Sequence, residues 1–354
     1  MNKRPFVLIV LSAVLFGLSP PLAKLLVKDI HPVVLAGFLY LGVFFGLEIY
    51  SVGRKMIIHK PDSLSSSPDP SLEKKDFPWL SGAILAGGVI APISLMIGLT
   101  KTSGFSASLL LNLEGLTTAL IAVLIFKENA GMRLWAALAC MTFAGIFLTW
   151  DPSRGKFTLA GPLFIFLAMI GWGLDNNFTR NISDKNPVQI TKLKGLFAGL
   201  ISLAIVFILG IKTSLHPRLI FALLIGALCY GLSLVFFIKA LKGLGAFRAG
   251  AFFSFAPFIG ALASLPILRE FIKWTMFPAT LFMLLGVWLI VSEKHSHAHT
   301  HEKLTHTHSH THHDLHHFHP HPGKAREPHA HEHTHEELDH IHGHWPDTHH
   351  RHHH

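Results

Sequence analysis

One carboxyl stands in the middle of an apolar run. Gly104 to Phe126 reads GFSASLLLNLEGLTTALIAVLIF, with Glu114 near its centre between Asn112 and Gly115. A helix of this length, rising about 1.5 Å per residue, crosses a hydrocarbon core of roughly 30 Å and puts Glu114 close to its midplane. A charged side chain costs about 2.5–3.5 kcal/mol there on the insertion scale, so such residues face protein or a wet cavity. A carboxyl so placed can take up and release a proton, or hold a cationic group. The plainer reading is a neutral glutamic acid bridging helices, with Asn112 or Thr117 as partner.

A second polar group follows in Trp172-Gly173-Leu174-Asp175-Asn176-Asn177, near the end of another apolar run. Asp175 and Asn176 could line a pathway, or could simply mark a helix end meeting water. Lys194, about two turns into the next run, could neutralise Asp175, Glu114 or an anionic substrate, or could snorkel to the surface beside Lys192. Trp172 and Tyr230 offer aromatic walls, or ordinary packing. Glu48, Glu128 and Glu270 sit at run ends and read as interfacial.

Histidine is the third signal. Of 28 histidines, all but His31, His59 and His216 lie beyond residue 294. There His297, His299, His301, His306, His308, His310, His331, His333 and His335 alternate with Thr, Ser, Ala and Glu. Imidazoles two residues apart, with carboxylates nearby, suit Zn²⁺, Ni²⁺, Co²⁺ or Cu²⁺ without choosing among them. So few apolar residues cannot bury a core, and 294–354 is expected to be a disordered tail.

The rest of the chain is built to hold such groups in a bilayer. Half of its 354 residues are hydrophobic and only 14% are charged, which excludes a soluble enzyme with one core. The formal charge of +9 comes from short inter-span loops and is no nucleic-acid signal. Cys140 and Cys229 lie in apolar runs without a CxxC or CxxH partner and read as core thiols. No P-loop, HExxH or nucleophile constellation is present, and no cofactor is required.

Ten apolar segments are expected to span: 5–27, 32–52, 78–99, 104–126, 132–150, 158–177, 188–211, 217–241, 246–268 and 271–292. The first reads as a retained helix, since no clean cleavage site ends it. The loop 53–77 reads as a flexible linker, and the fourth and fifth spans as a tight hairpin. With the N-terminus inside, inside loops hold sixteen Lys and Arg and outside loops nine. Both termini are therefore expected in the cytoplasm.

The spans divide into two sets of five, 5–150 and 158–292. Phe16-Gly17-Leu18-Ser19 matches Trp172-Gly173-Leu174-Asp175, Lys24 and Arg180 follow at the same offset, and Pro32 and Pro187 open the next spans. Glu128 and Glu270 end the fourth and ninth spans; thirteen residues earlier stand Gly115 and Pro257, both helix-weakening. A kinked or broken end is also expected at Pro20-Pro21. Five spans per repeat force opposite insertion, so an all-α bundle of two inverted five-helix repeats is expected.

These paired motifs resemble the EamA-type transporters of the drug/metabolite transporter superfamily over about 5–292. The resemblance implies ten helices, a central cavity lined by the first four helices of each half, and transport of small metabolites. Two departures stand out. The basic residue usual in the second helix of each half is Lys194 in one half, but Leu39 and Tyr40 occupy its place in the other. The proline usual in the fourth helix is Gly115.

The expected function is therefore an inner-membrane secondary transporter, an exporter of small metabolites by alternating access with proton coupling. A divalent-metal exporter or metal-regulated carrier, and a membrane-anchored metal buffer or sensor, are the alternatives. The expected partners are the lipid bilayer, a small-molecule substrate and a second copy of the chain as a homodimer.

Overall fold

The computed structural model describes residues 4–57, 72–125, 131–151, 155–183, 185–212, 216–292, 295–301, 304–310, 329–335 and 338–344. The chain divides into a helical unit, Met1–Gly53 with Leu72–Glu293, and a second unit, Arg54–Ser71 with Lys294–His354.

Among the described residues the helical unit forms ten rods. In the first half, α1 is Arg4–Leu26, α2 is Pro32–Ile57, α3 is Lys74–Lys101, α4 is Gly104–Leu124 and α5 is Met132–Thr149. In the second, α6 is Ala160–Arg180 and α7 is Pro187–Ile208. There α8 runs through Arg218–Ile225, Gly226–Leu232 and Ser233–Leu244, α9 through Ala246–Phe253 and Ala256–Leu268, and α10 is Met276–Val291. A two-residue ladder, β1 (Trp150–Asp151) with β2 (Lys156–Phe157), joins the halves. Eight rods are long and apolar enough to cross a membrane. The other two are α6, whose hydropathy is lowered by Asp175, Asn176 and Asn177, and α10, which has only 16 residues.

Local sequence explains the helix ends and irregularities. Asn186 caps α7, its Oδ1 accepting from Val188 N–H (3.0 Å) and Gln189 N–H (3.1 Å), with Pro187 in the first turn. Two rods contain a π turn, Ile84–Ile90 in α3 and Gly226–Leu232 in α8, each carrying glycine. Two rods are broken. In α4 the break is Leu111-Asn112, bridged by three-residue hydrogen bonds such as Asn112 N–H to Leu109 O (3.2 Å). In α9 it is Ser254-Phe255, and Pro257 sits in the first turn of the segment that resumes. The expected weak points at Gly115 and Pro257 are thus each about one turn downstream of the actual breaks. The break expected at Pro20-Pro21 is absent: α1 runs through both prolines to Leu26, where burial on neighbouring helices holds them.

The rods pack in a pattern that reads the same when the halves are exchanged. α1 packs on α8 and α9, and α6 packs on α3 and α4. α5 pairs with α10, and Gly104–Leu110 of α4 pairs with Ala256–Leu268 of α9. α7 lies on the π turn of α3, and Gly42 and Gly46 of α2 lie against Leu223 and Ala227 of α8. Small residues permit these approaches, because lipid supplies no hydrophobic drive for helices to associate. Gly17 of α1 is a further case, where any Cβ would strike the Ala256 carbonyl of α9.

The second unit differs from the expectation of a disordered tail. β3 (His295–His301) pairs antiparallel with β6 (Leu338–His344), and β4 (Leu304–His310) with β5 (His329–His335). The physical reason is periodicity: strict His-x-His alternation, with threonine among the intervening residues, carries the two-residue repeat of a strand. The side chains of the nine named histidines lie outside the described residues, as do the 126–130 hairpin with Glu128 and most of the 53–77 loop.

Candidate functional site

Four of the seven expected pathway residues meet where α4 resumes after its break. Glu114 is in the first turn of the resumed helix, and its Oε1 accepts from Asn176 Nδ2 of α6 (3.0 Å). Asn176 is exposed and also reaches Thr118 Oγ1 (3.1 Å). One residue earlier on α6, Asp175 is buried, and both its oxygens accept from Lys194 Nζ of α7 at 2.6 Å. Thr179 Oγ1 donates to the same carboxylate at 2.9 Å. Asp175 and Lys194 lie within electrostatic reach of Glu114. Gly115 leaves open space beside Glu114, since an added Cβ there would meet nothing within 4 Å.

The arrangement separates two charge problems. The Asp175–Lys194 pair neutralises itself, as a pair largely removed from water must. Glu114 makes no salt bridge to a cationic side chain among the described residues, and its neighbour is a neutral amide. Of the two carboxyls in this cluster, Glu114 is the one held by an amide and not by an ammonium.

The other expected residues do different work. Asn112 is buried and donates to Leu109 O (3.1 Å), closing the break in α4 instead of touching the Glu114 side chain. Thr117 donates to Met169 O (2.7 Å), tying α4 to α6. Trp172 is buried, and its Nε1 donates to Gly87 O (3.0 Å). Tyr230 sits in the π turn of α8, edge-on to Phe16 with ring centroids 5.8 Å apart.

Tyr40 and Gly87 are the residues that sequence reasoning missed. The π turn of α3 leaves the Gly87 carbonyl free for two donors, Trp172 Nε1 and Tyr40 Oη (2.6 Å). Gly87 also touches the Asp175 carboxyl closely enough that a Cβ could not be accommodated. Two signals were available: the Gly87-Gly88 pair inside an apolar span, and Tyr40 standing where a basic residue was expected.

The same end of the bundle carries further ion pairs. Glu48 of α2 pairs with Lys192 of α7. Buried Lys185 lies 3.1 Å from Glu73 and 3.6 Å from Asp76. Contacts with Lys75 first, and then with Lys185, hold the exposed Glu73 carboxyl below its ordinary range. At the opposite end, Glu270 caps α4 of the other half, accepting from Gly104 N–H (2.5 Å) and Phe105 N–H (2.9 Å). Beside it, Lys24 Nζ donates to Leu99 O (2.7 Å) and Thr102 O (2.6 Å) at the end of α3. Among the described residues no group of three or more His, Cys, Asp or Glu is placed to hold a metal ion.

The described helices form a polytopic bundle of two matched halves, with a polar cluster beside a broken helix. The profile of the EamA-like transporter family matches residues 3–150 and 159–292, one match per half, and the chain belongs to that family. An uncharacterized transporter of Methanothermobacter thermautotrophicus is 26% identical over 296 residues, covering 80% of this chain and 85% of its own. An uncharacterized protein of Pseudomonas aeruginosa is 28% identical over 199 residues, covering 55% of this chain and 67% of its own. A solved crystal structure shares the fold with TM-score 0.55 at 14% identity, covering 80% of this chain and 94% of that one.

Proposed function

We propose that this protein exports small metabolites across the inner membrane by alternating access, and that Glu114 couples the cycle to a proton. The carrying observation is the cluster at the α4 break. There a carboxyl without a salt bridge, Glu114, is held by Asn176 next to the self-neutralised Asp175–Lys194 pair. In this reading all ten rods span, as inverted repeats with both termini cytoplasmic. The exchange symmetry of the packing supports the two-fold relation: each helix of one half is held by the counterparts of the helices it holds in the other. The Lys and Arg distribution supports the orientation. The Asp175–Lys194 end then faces the cytoplasm, and the Glu270 end faces outward.

The experiment is efflux from proteoliposomes loaded with a total cell metabolite extract and followed by mass spectrometry, with and without a pH gradient. Selective loss of particular metabolites, faster with the gradient, is expected. Loss no different from empty liposomes would reject the proposal.

One observation favours a second role for the tail. The register of its ladders sets six histidine pairs opposite each other: 295 with 344, 297 with 342, 299 with 340, 306 with 333, 308 with 331, and 310 with 329. A tail that loads Zn²⁺, Ni²⁺, Co²⁺ or Cu²⁺ would make this a metal-regulated carrier. Deleting 295–354 should then change transport only when metal is added.

A further inference from the structure

The histidines of the tail strands fall on one face of each ladder. Residues two apart along a strand share a face, and so do residues directly opposite each other in an antiparallel pair. In the β3–β6 ladder the face that begins at the His295–His344 rung holds histidine at every position but Leu338. The other face sets Ser296, Ala298 and Thr300 against Gly343, Ile341 and Asp339. The β4–β5 ladder repeats the pattern, with Leu304 as its one exception and no histidine on its other face.

The two arms, 295–310 and 329–344, are also matched to each other. One register runs through both ladders: nine positions on from His295 is Leu304, nine back from His344 is His335, and these two are paired. Histidine changes phase once in each arm. It falls on odd positions through His301 and on even ones from His306; in the other arm it falls on odd positions through His335 and on even ones from His340. The register sets the two changes opposite each other, at 301–304 and 335–338. A change in one arm alone would have put its remaining histidines on the wrong face. Chelation by single His-x-His pairs needs no such agreement between the arms, whereas ions shared by both arms do.

Each ladder has three rungs of facing histidines. Rungs on one face follow each other at about 7 Å along the strand, with about 5 Å between paired Cα atoms. Two neighbouring rungs therefore bring four histidines together, and four nitrogen ligands complete a tetrahedral Zn²⁺ site. Without an ion little holds such a ladder, since an isolated two-stranded hairpin is marginal in water and these strands are poor in apolar residues.

We propose that the tail is a metal zipper, in which a divalent cation that favours imidazole nitrogen, such as Zn²⁺, binds between facing histidine rungs and joins 295–310 to 329–344. The inference rests on the metal-loading reading of the tail and adds where the ions sit and what they join. Ion binding supplies the free energy that orders the ladders, so the loaded tail is a closed hairpin and the ion-free tail is two separate arms. Loading thus changes the reach of the tail as well as its charge.

The test uses the full chain in lipid nanodiscs, with Zn²⁺ as the added metal and with Cys140 and Cys229 replaced by alanine. Spin labels on Ser296→Cys and Gly343→Cys take facing positions on the face without histidine. Zn²⁺ should collapse a broad distance distribution to a narrow one below about 20 Å, as a rung with about 5 Å between its Cα atoms requires. A distribution that Zn²⁺ leaves broad overturns the inference. Zn²⁺ retained per chain after dialysis is then counted by elemental analysis. His297→Ala with His299→Ala, and separately His340→Ala with His342→Ala, remove opposite sides of the same two rungs. Each double variant should lose as many ions as the quadruple variant that combines them. Losses that add in the quadruple variant mean that each arm binds alone, and they overturn the inference too. Closure of the arms with transport indifferent to Zn²⁺ would reject the metal-regulated reading and leave the zipper standing. Transport that responds to Zn²⁺ while the losses add would reject the zipper alone.

Discussion

Replacing Asp175 by asparagine should cost more than replacing both members of its ion pair. The Asp175 side chain is 9% exposed and that of Lys194 17%, and the lysine ammonium contacts both carboxylate oxygens at 2.6 Å. Asp175→Asn is nearly isosteric and keeps an acceptor for Thr179, so the change removes charge with little loss of packing. It strands an ammonium that is largely shielded from water, and breaking one side of such a pair costs about 3 kcal/mol. Lys194→Met alone strands the carboxylate, at a similar cost of about 3 kcal/mol. The double variant buries no unpaired charge, so its cost should fall at least about 3 kcal/mol below the sum of the singles, to no more than that of Asp175→Asn alone. In a scan of purified protein, about 2 °C per kcal/mol is expected for a domain this large. Each single variant should therefore melt several degrees low, and the double no lower than the worse single. Little change on adding salt is expected too, since a pair this buried is poorly screened. Strict additivity of the two singles would refute the reasoning and reduce the pair to a surface contact.

Three further outcomes follow from contacts elsewhere. Glu270→Gln should lower stability by about 1 kcal/mol, because a charged acceptor is lost from the first turn of α4; an unchanged melting temperature would count against the cap. Gly17→Ala should abolish recovery of monodisperse protein, since its Cβ would strike backbone of α9, whereas Gly145→Ala meets nothing within 4 Å and should express normally. Glu73, held below its usual 4.5 by its lysines, contributes stability that is present above that value and is lost as pH falls through the lower folded value. Wild type and Glu73→Gln should therefore differ at neutral pH and converge in acid below about 4.5, as read by melting temperature against pH.

The outline of the bundle was legible because it rests on long apolar periods and doubled motifs. Pro32 and Pro187 both open helices, and Gly17 and Gly173 both lie against the broken helix of the other half. Glu114 and Asp175 were visible as polar residues in apolar surroundings, where the cost of charge makes them conspicuous. Their partners were less so. Asn176 binding Glu114, in place of Asn112 or Thr117, depends on the rotation of α6 against α4, which no single helix encodes. The π turn that offers Gly87 O to Tyr40 and Trp172 is a backbone irregularity, and its sequence signal, two adjacent glycines, has other uses. Glu270 read as interfacial because its ligands are backbone N–H groups, and residue type does not reveal those. The tail inverted the usual difficulty: its composition argued against a core, while its alternation already carried a strand period.

The central claim is that Glu114 carries the proton that drives transport. Efflux of the metabolites released by wild-type proteoliposomes should be compared with Glu114→Gln, with and without an imposed pH gradient, after both proteins are shown to be equally folded and inserted. The gradient should accelerate wild-type efflux and leave the variant unaffected, because glutamine preserves the contact with Asn176 but cannot exchange a proton. Gradient-driven efflux from Glu114→Gln at the wild-type rate would contradict the account.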